Sequence, residues 1–258
     1  MKKQSIGFIG GGRVTKIMLK AFANANIKFS SILVYDINHE VLEALKKQFS
    51  NIKPVNSFTE LAKQDLVVIA LHPPVIKEML EKIKAFVHEN TIILSLAPKI
   101  TIEVISNLSG VKKIARLIPN ATSYINEGYN PVCFSKDLNP DEKQLLFTVL
   151  SSLGKTFETE EQKLEAYAII SAMLPTYFWF QWEELEKIGS QIGLNEKESK
   201  EAIKETLLSA IHLFYDSGLT SSEVIDLIPV KPLGIEENNI KSCFNNCLLP
   251  LFDKIKPQ

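Results

Sequence analysis

The residues Ile6-Gly7-Phe8-Ile9-Gly10-Gly11-Gly12-Arg13-Val14 combine a short apolar strand, three consecutive glycines and the start of a helical pattern. Such a strand–turn–helix typically holds the pyrophosphate of a dinucleotide against the helix N-terminus and its partial positive charge. Gly10 permits the tight turn, and Gly12 lets the backbone approach the phosphates. The third position of this fingerprint is normally Gly or Ala, and here it is Thr15, which departs from the pattern.

The second strand-like run, residues 31–35, leads to Asp36, 21 residues after Thr15, and an acidic residue at about this distance binds the hydroxyls of the adenosine ribose. Its carboxylate accepts hydrogen bonds from ribose hydroxyls and repels the additional phosphate of NADP, so we expect NAD rather than NADP. NADP stays open if Asp36 turns away, because Asn38 and Arg13 are placed to hold that phosphate. The alternative is a glycine-rich turn in which Asp36 merely caps the next helix.

The composition is that of an ordinary globular protein, with 258 residues of which 45% are hydrophobic and 23% charged. The net charge of −1 favours neither nucleic acid nor an anionic membrane as a partner. No apolar run approaches the roughly 20 residues that cross a bilayer. Three cysteines give no even disulfide framework, and no His or acidic cluster has metal-ligand spacing. We therefore expect a cytoplasmic protein without a metal.

Strand and helix patterns alternate through roughly the first 155 residues. Residues 65–71, 91–96 and 113–118 are nearly continuous apolar runs, as in strands that helices cover on both faces. This alternation predicts an α/β fold with a doubly wound parallel sheet, a Rossmann domain, over residues 1–158. Residues 159–258 have helical periodicity and predict an all-helical domain for substrate binding and dimerisation.

Bulky apolar residues dominate the first helix of this second domain, which we expect Pro175 to bend. Large aromatic side chains cluster between Tyr177 and Trp182. They form either a second core or a dimer interface, and we favour a homodimer.

Together these motifs resemble the pyrroline-5-carboxylate reductase family over most of the chain. Leu71-His72-Pro73-Pro74 falls where that family carries Val-Lys-Pro-Gln, and residues 95–100 fall on its Ser-x-Ala-Ala-Gly-x segment. Arg116-Leu117-Ile118-Pro119-Asn120, followed by Glu127-Gly128, is similar to its Arg-x-Met-Pro-Asn and Gly-Glu-Gly segments. The resemblance implies hydride transfer from a reduced nicotinamide to a cyclic imine, with proline as the product in that family.

The resemblance also implies that the nicotinamide lies near Asn120 and the two strand-end segments around residues 71–74 and 97–98. The predicted cofactor-binding residues are Gly10, Gly11, Gly12, Arg13, Val14, Asp36, Leu71, His72, Pro73, Ala97 and Asn120. For Asn120 the alternative is a turn residue that bonds its own backbone.

The departures from the family fall in the segments that handle substrate. Its Ser-Gly-Ser-Gly-Pro-Ala-Tyr is replaced by Ser171-Ala172-Met173-Leu174-Pro175-Thr176-Tyr177, and its Ser-Pro-Gly-Gly-Thr-Thr falls on residues 231–236, which contain no threonine. Ser171, Thr176 and Tyr177 are the remaining hydroxyls and the candidate catalytic residues. Two other hypotheses stay open: a same-fold reductase or dehydrogenase for a bulkier imine or carbonyl substrate, and a nucleotide-binding protein without turnover.

Overall fold

The computed structural model describes residues 4–257. Contacts divide them into a sheet unit, residues 4–172 with 252–257, and a helical unit, residues 173–251.

The strands of the sheet unit form one eight-stranded sheet, in the spatial order β3-β2-β1-β4-β5-β6-β7-β8. They are β1 (Ser5–Ile9), β2 (Ser31–Tyr35), β3 (Lys53–Pro54), β4 (Leu66–Ile69), β5 (Ile92–Ser95), β6 (Ile114–Leu117), β7 (Gly128–Phe134) and β8 (Gly154–Glu158). Neighbouring strands are parallel except β6 and β7, which are antiparallel. The predicted doubly wound sheet is confirmed, and it is mostly rather than wholly parallel. Strand order reverses between β1 and β4, and nucleotides bind at the carboxyl ends of the strands beside such a reversal.

Helices of this unit cover both faces of the sheet. They are α1 (Arg13–Asn24), α2 (His39–Gln48), α3 (Phe58–Leu61), α4 (Pro73–Ile83), α5 (Ile102–Ser109), α6 (Pro140–Leu150) and α7 (Leu164–Tyr167). Within β4, Val68 joins one buried apolar cluster, and Val67 and Ile69 join the other. Because successive residues of a strand point to opposite faces, an apolar strand of this kind needs helices on both sides.

The helical unit contains α8 (Leu174–Gln191), α9 (Glu196–Asp216), α10 (Ser221–Asp226) and most of α11 (Glu237–Ile255). Asn195 and Thr220 begin α9 and α10 with capping boxes, in which side chain and backbone bond reciprocally. Of the residues described in this unit, Gly189 and Ser199 alone are buried. The helices are therefore well formed locally but enclose almost no core of their own.

Two details differ from what the sequence predicts. Pro175 does not bend a long helix: α7 gives way to a π-helical turn at Ala168–Ala172, and Pro175 lies in the first turn of α8. Proline is tolerated there because the first N–H groups of a helix have no partner inside it. The contacts divide the chain after Ala172 rather than at residue 158, because Leu164 is fully buried and Glu165 is bonded to Arg116 of β6.

Candidate nucleotide-binding site

The turn after β1 has a conformation that glycine adopts far more easily than other residues. Gly10 has φ of +102°, is buried, and donates its N–H to the Tyr35 carbonyl at 2.8 Å. A Cβ atom on Gly10 would collide with the carbonyl oxygen of Ala70, which follows β4. A side chain is therefore excluded both by backbone conformation and by space.

Gly12, directly before α1, is exposed, and an added Cβ atom would meet nothing within 4 Å. The first turn of α1 contains no acidic side chain, and its first residue, Arg13, is exposed. Val14 is half-buried and packs against the core. The N-terminus of α1 thus presents backbone N–H groups and a positive dipole end to an approaching anion.

Thr15, the departure from the glycine fingerprint, is accommodated by a hydrogen bond. Its hydroxyl donates to the Gly10 carbonyl at 2.5 Å, and the residue is fully buried. The side chain occupies the space between helix and turn and satisfies a backbone acceptor there. Threonine at this position therefore fits the turn.

Asp36 fastens the glycine turn to the end of β2. One carboxylate oxygen accepts the Gly11 N–H at 2.7 Å, and the other accepts the Asn38 N–H at 2.8 Å. The helix cap of α2 is a different residue, Asn38, whose side chain accepts the Glu40 N–H at 2.9 Å. The half-buried Asp36 is thus held at the sheet edge beside the glycines, and it is not the α2 cap.

A cleft of about 270 Å³ opens between Gly10, Asp36 and α4. Leu71, Val75 and Met79 give it an apolar wall opposite the carboxylate. An apolar wall facing an acceptor suits a flat base joined to a hydroxyl-bearing sugar. His72 precedes α4 and is exposed, with no capping bond from its side chain, and Pro73 begins that helix.

Asn120 and Ser171, which the sequence assigns to the cofactor and to catalysis, are in direct contact. The Asn120 amide donates to the Ser171 hydroxyl at 3.2 Å and to its carbonyl at 3.3 Å. The Asn120 side-chain oxygen accepts from the Thr122 N–H at 3.0 Å, which is the turn geometry expected under the alternative. The Ser171 hydroxyl donates to the Tyr129 carbonyl at 3.2 Å. Both side chains therefore tie the end of β6 to the π-helical turn.

Ala97, the predicted contact after β5, is buried beside a charged network that is not among the predicted site residues. Arg116 of β6 donates to the Ala97 carbonyl at 3.4 Å and forms ion pairs with Glu161 at 2.8 Å and Glu165 at 2.6 Å. The available signal was an arginine inside an otherwise apolar strand, since a buried charge requires partners. Two glutamates four positions apart supply them, Glu161 in a 3-10 turn and Glu165 in α7 directly after it.

Thr176 and Tyr177, the other predicted catalytic residues, lie in the helical unit. The Thr176 hydroxyl donates to the Met173 carbonyl at 2.6 Å. The Tyr177 ring meets Phe244 edge-on, with centroids 6.2 Å apart, and burial raises the pKa of its hydroxyl. Both residues line a largely apolar cavity of about 450 Å³ with Cys243. Tyr177 therefore stays protonated at neutral pH, as a hydrogen-bond donor must.

Two negative findings concern the part of the chain that the structure describes. Within residues 4–257 no helix combines the length and apolar character needed to span a membrane. The same residues contain no group of three or more His, Cys, Asp or Glu side chains arranged to hold a metal ion.

Comparisons of sequence agree with the resemblance. Residues 5–99 match the family described as NADP oxidoreductase, coenzyme F420-dependent. Pyrroline-5-carboxylate reductase 1 of Bacillus subtilis is 25% identical over 219 residues, which cover 84% of this chain and 74% of the relative. Pyrroline-5-carboxylate reductase 2 of the same organism is 27% identical over 222 residues, covering 84% and 78%.

Comparisons of structure agree at the level of the fold. A pyrroline carboxylate reductase of Plasmodium falciparum, solved with NADP bound, has a TM-score of 0.84 at 24% identity, covering 99% of this chain and 98% of that one. The pyrroline-5-carboxylate reductase of Coxiella burnetii has a TM-score of 0.72 at 24% identity, covering 98% and 95%. The resemblance to the pyrroline-5-carboxylate reductase family is thereby confirmed, and the matched family and the named relatives indicate an NAD(P)-dependent oxidoreductase.

Proposed function

We propose that the chain reduces pyrroline-5-carboxylate, or a closely related cyclic imine, with a hydride from a reduced nicotinamide. The observation that carries this is the glycine turn fastened to Asp36, on a chain whose relatives bear that enzyme's name. The hydride passes to the imine carbon, the C=N electron pair moves to nitrogen, and nitrogen takes a proton. The protein's part is to orient the two reactants and exclude water.

We propose that residues 1–158 bind the nucleotide, by the residues that the sequence assigned. Gly10, Gly11, Gly12, Arg13 and Val14 would hold the pyrophosphate, and Asp36 the ribose. The remaining members of that set would surround the adenine and nicotinamide ends: Leu71, His72, Pro73, Ala97 and Asn120. The cleft beside Asp36 and the open N-terminus of α1 support this division.

We propose NADH as the preferred cofactor. Two backbone N–H groups hold the Asp36 carboxylate in place, so it is not positioned to turn away from a 2′-phosphate. The next residue, Ile37, is 85% exposed and offers that phosphate no donor. Lys82 lines the cleft but is paired with Glu78. NADP is bound in the Plasmodium falciparum relative. In this chain the 2′-phosphate of NADP would be repelled by the fixed carboxylate of Asp36.

We propose that Ser171, Thr176 and Tyr177 supply the hydroxyls that the substrate requires. Burial raises the pKa of the Tyr177 hydroxyl, which therefore stays protonated at neutral pH. The Ser171 and Thr176 hydroxyls already donate to carbonyl groups, so each would have to change partner, or only accept, to serve the substrate.

We propose that residues 159–258 also form a homodimer. The support is the helical unit itself, in which Phe180 is 64% exposed, Ile211 54% and Leu249 61%. Large exposed apolar surfaces mark sites of protein–protein interaction in many proteins. A second copy would cover this surface with one of the same kind.

We also propose a reducing cytoplasmic location, which three cysteines without disulfide bonds support.

A second candidate function, reduction of a bulkier and less acidic imine or carbonyl compound, is favoured by the residues that depart from the family. Leu233 and Ile235 are 69% and 88% exposed where the family carries its substrate-carboxylate segment. An apolar surface of this kind offers no donors to a carboxylate.

The test is oxidation of NADH and of NADPH by the purified chain with pyrroline-5-carboxylate, followed by loss of nicotinamide absorbance. We expect turnover, with kcat/KM at least about tenfold higher for NADH. Binding of NADH without turnover on this substrate would overturn the substrate assignment, and a panel of larger imines and ketones would then separate altered specificity from a silent binder. Failure to bind either nucleotide would overturn the assignment of the glycine turn.

A further inference from the structure

The middle of β6 contains a charged side chain among apolar ones. Arg116 is 1% exposed and belongs to the strand sequence Ile114–Leu117, whose four residues are all buried. A guanidinium ion removed from water in this way is costly unless its hydrogen bonds and charge are met. Its two terminal nitrogens have partners in segments near the predicted nicotinamide end, whereas its Nε is buried without a hydrogen-bond partner among the described residues.

Two carboxylates share the guanidinium. Glu161 accepts from one terminal nitrogen at 2.8 Å, and Glu165 accepts from the other at 2.6 Å. The nitrogen that faces Glu165 also donates to the Ala97 carbonyl at 3.4 Å. The planar group therefore joins three separate partners in directions that its geometry fixes, which a single ammonium group cannot reproduce.

The same carboxylate oxygens accept backbone N–H groups from the loop after β5. Glu165 accepts the Lys99 N–H at 3.0 Å, and Glu161 accepts the Ile102 N–H at 2.7 Å. Lys99 has φ of +72°, a left-handed conformation unfavourable for a residue with a side chain. Such strain persists only where surrounding contacts fix the backbone, and the bond from Glu165 is one of those contacts.

Glu165 is also part of α7, which leads directly into the π-helical turn at Ala168–Ala172. Ser171 of that turn is bonded to Asn120, which follows β6. The segment from Glu161 to Ser171 is therefore fastened to β6 or its extension at both ends. Single π-helical turns are often found at functional sites.

We propose that Arg116 is a positioning residue for the nicotinamide half of the nucleotide site. It contacts neither cofactor nor substrate. Through Glu161 and Glu165 it fixes the Ala97 loop and the Ser171 turn relative to each other, and so fixes the ring that donates the hydride. This inference rests on the proposed function, because it assumes that the nicotinamide lies between these segments.

The test compares Arg116→Lys with Lys113→Met. Lys113 forms a partly buried ion pair with Glu142 at 2.6 Å in the same unit, so its loss controls for general destabilisation. For Arg116→Lys we expect kcat to fall at least about thirtyfold, since ångström-scale misplacement of reacting groups costs about a hundredfold. Affinity for ADP-ribose, which lacks the nicotinamide, should stay within about threefold. Lys113→Met should leave kcat within about threefold.

A second measurement and further variants test the proposal independently of turnover. Fluorescence enhancement of the nicotinamide in bound NADH should be lost in Arg116→Lys and kept in Lys113→Met, and this readout needs no substrate. If the wild-type chain fails to reduce pyrroline-5-carboxylate, the proposed function fails while the fluorescence comparison still tests Arg116.

If Arg116→Lys does not fold, Glu165→Gln replaces it, with Glu161→Gln expected to have the smaller effect because Glu161 is the more exposed. Unchanged kcat and fluorescence, or losses of ADP-ribose affinity equal to the loss of kcat, would overturn the proposal.

Discussion

The sheet unit buries its large apolar side chains, whereas the helical unit leaves most of its own exposed. Phe8 and Ile69 are completely buried between the sheet and its helices, but Trp179 and Ile211 are 46% and 54% exposed on α8 and α9. Both units have well-capped helices, so the difference does not come from local structure. The sheet unit therefore buries its apolar residues within itself, while the helical unit leaves an apolar surface that we propose a second copy covers.

The difference also separates two parts of the function. The glycine turn, Asp36 and the adjoining cleft all belong to the sheet unit, so the nucleotide site that we propose needs no residue of a second copy. Thr176 and Tyr177 belong to the helical unit, whose apolar residues are largely exposed. Substitutions can therefore be chosen to impair either nucleotide binding or dimerisation while leaving the other intact.

The largest expected effect comes from placing charge on the helical surface. The double substitution Trp179→Glu with Ile211→Glu should raise the dimer dissociation constant at least about a thousandfold, because buried carboxylates without partners cost several kcal/mol. Sedimentation velocity over a concentration series measures this, with Lys204→Glu as the control for an added negative charge. The dissociated variant should bind ADP-ribose within about threefold of the wild type. A variant that dimerises as tightly as wild type would show that another surface pairs the chains.

Substitution of Gly10 and of Gly12 by alanine should have different effects on stability and on NADH binding. Gly10→Ala should lower the free energy of unfolding by about 2–3 kcal/mol, because a side chain there has both an unfavourable φ and a steric clash. Gly12→Ala has open space around it and should cost less than about 1 kcal/mol, yet weaken NADH binding about tenfold by obstructing the phosphates. Urea unfolding and NADH titration of both variants separate the two roles. Equal losses of stability would contradict the distinction.

Removal of the Asp36 carboxylate sharpens the assignment of the cofactor. Asp36→Ala should weaken NADH binding about tenfold, or about 1.4 kcal/mol, and weaken NADPH binding less, because ribose acceptors and phosphate repulsion disappear together. Glu43→Ala removes an exposed carboxylate from the neighbouring α2 and should change neither affinity by more than about twofold. If the ratio of the two affinities is the same in Asp36→Ala and wild type, Asp36 does not select the cofactor.

The smallest expected effect is a gain in stability. Lys99→Gly should raise the free energy of unfolding by about 0.5–1 kcal/mol, since glycine adopts φ of +72° without strain. Lys84→Gly replaces a lysine with an ordinary φ of −50° and should lower it by a similar amount. Thermal unfolding of the two variants provides the comparison. A loss of stability in Lys99→Gly would mean that its side chain outweighs the strain.

The sequence predicts well what depends on neighbouring residues. The order of strand, glycines, helix, strand and Asp36 predicts the nucleotide turn because each step follows from local conformation and from the meeting of parallel strand ends. The helices that begin after residues 195 and 220 have capping boxes whose two partners are three residues apart in the chain, so their starts are also fixed locally. The proposed reaction and the expected position of the nicotinamide come from the resemblance to a family rather than from local pattern.

What the sequence does not predict depends on residues far apart in the chain. Arg116 pairs with glutamates that lie 45 and 49 positions away in the chain, and the antiparallel direction of β7 depends on pairing rather than on local pattern. The glycine fingerprint does not predict that Thr15 fits its position, because a motif lists residue types and the fit depends on the hydrogen bond from the Thr15 hydroxyl to Gly10. Proximity in space, which a single sequence does not display, determines each of these features.

Sedimentation equilibrium of the unmodified chain without nucleotide tests the contrast between the two units. We predict a species of twice the mass of one chain down to micromolar concentration or below, because the helical unit encloses almost no core of its own. A stable monomer with full helical content by circular dichroism would contradict this, since the exposed residues of α8 and α9 would then need no second copy.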